Sequence, residues 1–127
     1  MVPMDLIIAN FKWIMLASGL LTLTMVAAAF APRALFVSMF GEGPQGALAT
    51  LLARNWGVLI GLTGAMLIWG AFHVEARPLV LLVAGASKLT FIGLVLSQPI
   101  FRAKAISAVV IDGVMVALFA AYLLAAW

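Results

Sequence analysis

Two ionisable residues interrupt apolar stretches that are otherwise long enough to cross a membrane. Lys88 lies within GASKLTFIGLVL (85–96), and Asp112 lies within AVVIDGVMVALF (108–119). A lone charge at the centre of a bilayer costs ~2.5–3.5 kcal/mol on insertion scales. Such residues therefore point to an intramembrane ion pair, a proton site or a polar binding site.

Residue counting places the two charges at nearly the same depth. The turn between the two stretches is centred near Phe101, with Lys88 about 13 residues before it and Asp112 about 11 after it. At ~1.5 Å per helical residue, their depths differ by only ~3 Å. Helices joined by a short loop are normally antiparallel neighbours, so the sequence predicts that Lys88 and Asp112 meet.

A third charge, Arg54, is predicted to belong to the same polar site. It shares a helical stripe with Gly57, Gly61 and Gly64, and the first two of these form a Gly-x-x-x-Gly pair. That spacing lets membrane helices approach closely, so the stripe should face other helices and carry Arg54 inward. Asn55 is expected to line the same pocket.

Two interpretations of these charges stay open. Lys88 and Asp112 alone can act as an ion pair that fixes helix register and does no chemistry. Alternatively, with Arg54 they line a cavity with a net positive charge, which suits an acidic or carbonyl-bearing ligand.

Other kinds of site have few residues to build them. The chain has no cysteine, which excludes disulfides and thiolate chemistry. His73 is the only histidine and stands beside Glu75, so a turn residue is favoured over a metal ligand. No serine has a histidine at a matching depth to activate it. We therefore expect no catalytic residue and no metal site, and the sequence identifies no cofactor.

The composition is that of a membrane protein. Of the 127 residues, 67% are hydrophobic and 9% are charged, and the mean hydropathy is +1.28. Soluble domains are about 25% charged. We expect one integral membrane domain over residues 1–127. The net charge of +3 comes from dispersed Lys and Arg, which does not suit nucleic-acid binding.

The elements that must position the charges are four predicted membrane helices, at about 13–31, 47–72, 78–100 and 105–127. These runs lack the alternation of a membrane barrel, so the expected fold class is an all-α, four-transmembrane-helix bundle. Between the first two spans, PRALFVSMF (32–40) has apolar residues at helical spacing. It is interpreted as a short amphipathic helix at the interface, or else as an apolar loop packed on the bundle.

Four spans place both termini on one side of the membrane. The opposite side carries Arg33, Arg102 and Lys104, and the terminal side carries Lys12 and Arg77. Positively charged loops tend to be cytoplasmic, so the termini are predicted to be periplasmic.

The run RNWGVLIGLTGAMLIWGAF (54–72) follows a first span and a longer link, and precedes two tightly connected spans. This layout, with its Arg-x-x-Gly at Arg54 and Gly57, resembles the DoxX-like small four-helix bacterial membrane proteins. The resemblance implies a bacterial inner membrane and, as for some family members, a link to quinone-dependent respiratory oxidation. Small multidrug transporters are similar in size, but they rely on a glutamate in the first helix, where this chain has no acid.

The sequence therefore favours a non-enzymatic membrane protein that binds a small molecule or lipid at its polar site, or that serves as an accessory subunit. A small-solute or proton-coupled transporter and a quinone-linked oxidoreductase subunit stay as alternatives. The expected partners are the lipid bilayer and either further copies of the chain or other membrane subunits, because the glycine stripe offers a packing face.

Overall fold

A computed structural model of the protein describes residues 4–125, with side chains from Leu6 onward, and the described chain is helical without strands. The α-helices are α1 (Met4–Ala9), α2 (Phe11–Leu23), α3 (Ala27–Phe30), α4 (Pro32–Phe40), α5 (Gly46–Ala71), α6 (Arg77–Leu96), α7 (Pro99–Arg102) and α8 (Ile106–Ala125). Tight 3-10 turns at Thr24–Val26 and Val74–Ala76 continue into α3 and α6.

Four continuous helical stretches are long and apolar enough to cross a membrane, which confirms the predicted number and type of elements. We call them the first to fourth long helices: Phe11–Phe30, Gly46–Ala71, Val74–Leu96 and Ile106–Ala125. The shortest have 20 residues, or ~30 Å of helix. The third ends at Leu96 and not near residue 100, because Pro99 disfavours helix in the residue before it. The predicted end of the fourth span, at 126–127, lies outside the described residues.

The link between the first two long helices is a helix with defined ends. Ala31 leaves the helical conformation, and Pro32 then begins α4, where its missing N–H costs nothing. Gly41 ends α4 with a φ of 84°, a left-handed conformation that favours glycine. Its N–H donates to the Val37 carbonyl at 2.9 Å. Of the two interpretations of residues 32–40, the structure therefore shows the helix.

The first and second long helices pack with their backbones almost touching. A Cβ built on Gly64 would lie 2.5 Å from the Leu23 nitrogen and 2.7 Å from the Gly19 oxygen. Gly57 and Gly61 are also buried against the first long helix, with built Cβ atoms 2.6 and 3.1 Å from its side chains. The stripe of glycines is therefore where these two helices meet.

The main core lies at one end of the bundle and fixes the topology. Its fully buried large side chains are Phe11, Met15, Leu67, Leu81 and Phe119. The Phe11 ring stacks on Tyr122 with centroids 4.2 Å apart, so the first long helix begins where the fourth ends. We call this the terminal end. The opposite end, which holds α4 and α7, is called the linker end.

Candidate functional site

Lys88 and Asp112 form an ion pair inside the bundle. The Lys88 Nζ lies 3.2 Å from Asp112 Oδ1 and donates a second hydrogen bond, of 3.0 Å, to Thr22 Oγ1. The structure thus brings together the two residues whose depths match in the sequence. It adds Thr22, whose place on the first long helix ties that helix to the third and fourth.

Buried apolar residues one or two helical turns away place both charges on inward-facing sides of their helices. Leu81 and Ala84 are buried on the third long helix at offsets of seven and four residues from Lys88, which places all three on one face. Asp112 stands three residues from both Val109 and Met115, which are also buried. Burial of these two faces brings the charged side chains into contact.

The pair retains hydrogen-bonding capacity. An ammonium group has three N–H donors, and Thr22 and Asp112 accept two of them. Asp112 Oδ2 accepts no hydrogen bond from the described residues, yet no buried side-chain nitrogen or oxygen there lacks a partner. Oδ2 is therefore accessible. The exposed fraction of the Asp112 side chain is 21%, against 7% for Lys88.

Asp112 and Lys88 border a cavity of about 150 Å³ among the four long helices. Lys88, Asp112 and Thr22 supply polar groups to it, and most of the remaining wall is apolar, including Met25, Ile60, Phe91 and Met115. Pockets for drug-sized ligands are ~300–1,000 Å³, so this cavity suits a small molecule or one end of a larger one. It can offer such a group an acceptor and a donor side by side.

The structure does not bring Arg54 or Asn55 to this cavity. Arg54 is exposed, and its Nε donates to the Ala29 carbonyl at 2.8 Å, so its predicted inward position was wrong. Ala29 lies in the last turn of the first long helix, whose carbonyls have no partner within the helix. The Arg54 guanidinium group therefore donates to this carbonyl and does not reach the cavity. Asn55, the next residue along the same helix, is also exposed.

The loss of Arg54 changes the charge of the site. A cavity lined by three charges would be net positive, whereas Lys88 and Asp112 together are neutral. An acidic ligand is therefore no longer the best match. A neutral group that both donates and accepts hydrogen bonds fits the free N–H and the free carboxylate oxygen.

Arg77 is a buried residue whose role the sequence analysis did not predict. Its Nη2 donates to the Ala71 carbonyl at 2.8 Å and its Nε to the Gly70 carbonyl at 3.1 Å, at the end of the second long helix. A third bond, of 3.4 Å, reaches the Tyr122 hydroxyl on the fourth. Arginine just after a helix end is a signal for capping of this kind. Arg77 is thus a structural clamp at the terminal end.

His73 lies at the terminal end as well. Its ring stacks on Trp69 with centroids 4.1 Å apart, and its Nδ1 is 2.9 Å from the Trp69 carbonyl oxygen. Among residues 4–125, no group of three His, Cys, Asp or Glu side chains is placed to hold a metal ion. These contacts describe a histidine packed at a helix end.

Comparison with protein-family models, with curated proteins and with solved structures finds no match to this chain. The resemblance to DoxX-like proteins accordingly rests on sequence layout and stays a prediction. Function must be inferred from the site itself, because a helical bundle by itself specifies none.

Proposed function

We propose that this protein crosses a bacterial inner membrane four times and binds a small uncharged molecule, or the polar end of a lipid, beside Lys88 and Asp112. The role is non-enzymatic. The observation that carries the proposal is an ion pair with unused hydrogen-bonding capacity, open to a mostly apolar cavity between the long helices.

Membrane placement is supported by the outward faces of the bundle. Large apolar side chains such as Leu20, Leu59, Leu82 and Val114 are about half exposed along the four long helices. Soluble monomers rarely expose continuous apolar surface larger than a few hundred Å². In this placement α4 lies at the interface, and the basic linker end faces the cytoplasm, which leaves the termini periplasmic.

The cavity favours binding over a purely structural pair. An ion pair that only fixes helix register is most stable when the residues around it pack tightly, since unfilled apolar volume costs ~24 cal/mol per Å³. The space beside Lys88 and Asp112 is partly open, and a larger residue at Ala108 would fill part of it. In the structure this space is unfilled and lies next to Asp112, whose side chain is partly exposed.

The chemistry of the cavity defines the ligand class. Asp112 Oδ2 can accept a hydrogen bond from a hydroxyl or amide N–H, while the third Lys88 N–H can donate to an oxygen of the same group. The remainder of the ligand would pack against Met25, Ile60 and Phe91. Alcohols, amides and the glycerol end of a neutral lipid meet these conditions.

The test compares two substitutions of the same kind on the fourth long helix. Ala108 lines the cavity and Ala117 is exposed away from it, so Ala108→Leu fills the site and Ala117→Leu is its matched control. Each protein is purified in mild detergent, its fold is checked by circular dichroism, and organic extracts are quantified by mass spectrometry. We expect about one polar small molecule or neutral lipid per chain in the wild type and control, and its loss from Ala108→Leu. Equal extracts from all three proteins, or no such molecule with the wild type, would contradict the proposal.

A small-solute or proton-coupled transporter is the second candidate, because the Lys88–Asp112 pair borders a cavity among the long helices, and charged residues inside membranes often mark solute or proton pathways. Acidification or solute uptake in reconstituted vesicles, absent in Asp112→Asn, would support it over simple binding. A quinone-linked oxidoreductase subunit rests only on the sequence resemblance, and co-purification with a redox complex is its test. Assembly with itself or with other membrane subunits is tested by chemical cross-linking in native membranes.

A further inference from the structure

A second, larger cavity opens at the linker end and has an aromatic wall. It has a volume of about 620 Å³ and lies between α4, the start of the second long helix and the end of the third. Five aromatic side chains line it: Phe36, Phe40, Trp56, Phe91 and Phe101. They hold one another in place, with ring centroids 5.3 Å apart for Phe36 and Trp56 and 5.6 Å for Phe40 and Phe101. We call this cavity the aromatic groove.

Two basic side chains approach the segment that forms the mouth of the aromatic groove. A Cβ built on Gly41 would lie 2.7 Å from the Lys104 Nζ, and one built on Gly43 would lie 3.0 Å from the Arg33 Cγ. Both basic side chains are exposed, and within the described residues neither forms a salt bridge. The short loop after α4 therefore runs between two accessible cations.

The other charged side chains described at this end are Glu42, Arg54 and Arg102, and Arg54 is already bonded to the Ala29 carbonyl. Glu42 lines the mouth and is exposed, so it offsets one positive charge and leaves an excess of one from Arg33 and Lys104. Arg102 is used as a helix cap, because its Nε donates to the Leu96 carbonyl at 2.6 Å. The mouth is therefore net positive, whereas the groove behind it is apolar.

We infer that the aromatic groove holds an acyl chain of an anionic phospholipid, whose phosphate lies between Arg33 and Lys104. The volume falls within the ~300–1,000 Å³ typical of ligand sites. Basic pockets at the cytoplasmic ends of membrane helices bind anionic headgroups. The inference rests on the membrane placement proposed above, but not on the ligand proposed for the cavity beside Lys88.

The arrangement of charge and apolar surface selects a lipid among possible occupants. Among the described residues no Lys or Arg lines the groove, whose wall adds Leu52, Leu94 and Val95 to the aromatic side chains. A molecule that fills it must carry its negative charge at one end and a flexible apolar chain at the other. In the proposed placement this mouth lies at headgroup level, where anionic phospholipids are present at high concentration.

The experiment titrates the full chain in mild detergent with dioleoyl phosphatidylglycerol and, separately, with dioleoyl phosphatidylcholine, and counts bound lipid by native mass spectrometry. The wild type should bind phosphatidylglycerol more tightly. In the double variant Arg33→Gln, Lys104→Gln, we expect its affinity to fall about thirtyfold, or ~2 kcal/mol at 1.4 kcal/mol per tenfold, from ~1 kcal/mol per basic residue. Lys12→Gln, at the terminal end, makes the same change of charge per residue and should bind like the wild type.

A second pair of variants tests the groove itself. Ala49→Phe fills it, whereas Ala47→Phe adds the same group to the exposed side of the same helix. Only Ala49→Phe should lose phosphatidylglycerol, and Ala108→Leu should retain it, so the two proposed sites can fail separately. Equal binding of the two lipids by the wild type, or unchanged binding by the double charge variant, would overturn the inference. Since Arg33 and Lys104 are exposed, the charge variant decides the matter even where Ala49→Phe does not fold.

Discussion

Substitution of one glycine in the contact between the first two long helices gives the sharpest test of the packing. Gly64→Ala would place a methyl group 2.5 Å from the Leu23 nitrogen and 2.7 Å from the Gly19 oxygen. Both are backbone atoms, which no rotamer change can move. An ordinary contact of ~3.5 Å therefore requires the two helices to separate by ~1 Å.

The cost follows from that displacement. A gap of 0.5–1 Å forfeits roughly a quarter to a half of the dispersion energy of each atom pair involved, and overpacked sites lose ~1–3 kcal/mol. Alanine regains up to ~1 kcal/mol over glycine through helix propensity. We therefore expect Gly64→Ala to lower the free energy of unfolding by roughly 1–2 kcal/mol.

Gly93→Ala is the matched control. Gly93 is exposed on the third long helix, and a Cβ built there meets no atom within 4 Å. It should be neutral or stabilise the protein by up to ~1 kcal/mol. Reversible unfolding in mixed micelles with rising sodium dodecyl sulfate, followed by circular dichroism, measures both variants. Equal stability of the two variants would refute the close backbone packing of the first and second long helices.

Three further outcomes are expected. Asp112→Asn should destabilise the bundle by ~3–5 kcal/mol because Lys88 loses its counter-charge. The double variant Lys88→Met, Asp112→Leu should lose less stability than either single variant. Additive single effects in the same unfolding assay would mean that the pair does not interact. Arg77→Lys should cost ~1–2 kcal/mol in that assay, since an ammonium group cannot reproduce the fork that bonds two carbonyls and the Tyr122 hydroxyl; a wild-type midpoint would contradict the clamp. A reporter that fluoresces only in the cytoplasm should stay dark when fused after residue 127, and a bright signal would reverse the proposed orientation.

The features that followed from the sequence are those set by length and regular geometry. Four long apolar runs were sufficient to predict four helices, with the ends of the first two within two residues of those in the structure and the third placed four residues too late in the chain. The proximity of Lys88 and Asp112 followed from a fixed rise per residue and a short turn. Both predictions concern position along a helix axis, which sequence spacing determines well.

The positions that escaped prediction depend on which acceptor a long side chain reaches. Arg54 lies on the glycine stripe, yet its flexible stem carries the guanidinium to the Ala29 carbonyl at the end of another helix. Arg77 was assigned only to the terminal side, whereas in the structure its guanidinium donates to the Gly70 and Ala71 carbonyls inside the bundle. Thr22 gave no signal, since a threonine in an apolar helix normally bonds its own backbone. Which acceptor each of these side chains reaches depends on where the neighbouring helices end in the folded protein.

The distance in sequence between Lys88 and Asp112 has a consequence for biosynthesis. The two partners are 24 residues apart, and synthesis at ~5–20 residues per second delivers the acid ~1–5 s after the base. In the membrane-spanning protein that we propose, the third long helix would meet the translocation machinery before its counter-charge exists. Thr22 is already present at that time but carries no charge. The apolar residues of the third long helix offset much of this cost, so the unpaired Lys88 should reduce its insertion without preventing it, and a nascent chain stalled before Asp112 should show less complete insertion than one stalled after it.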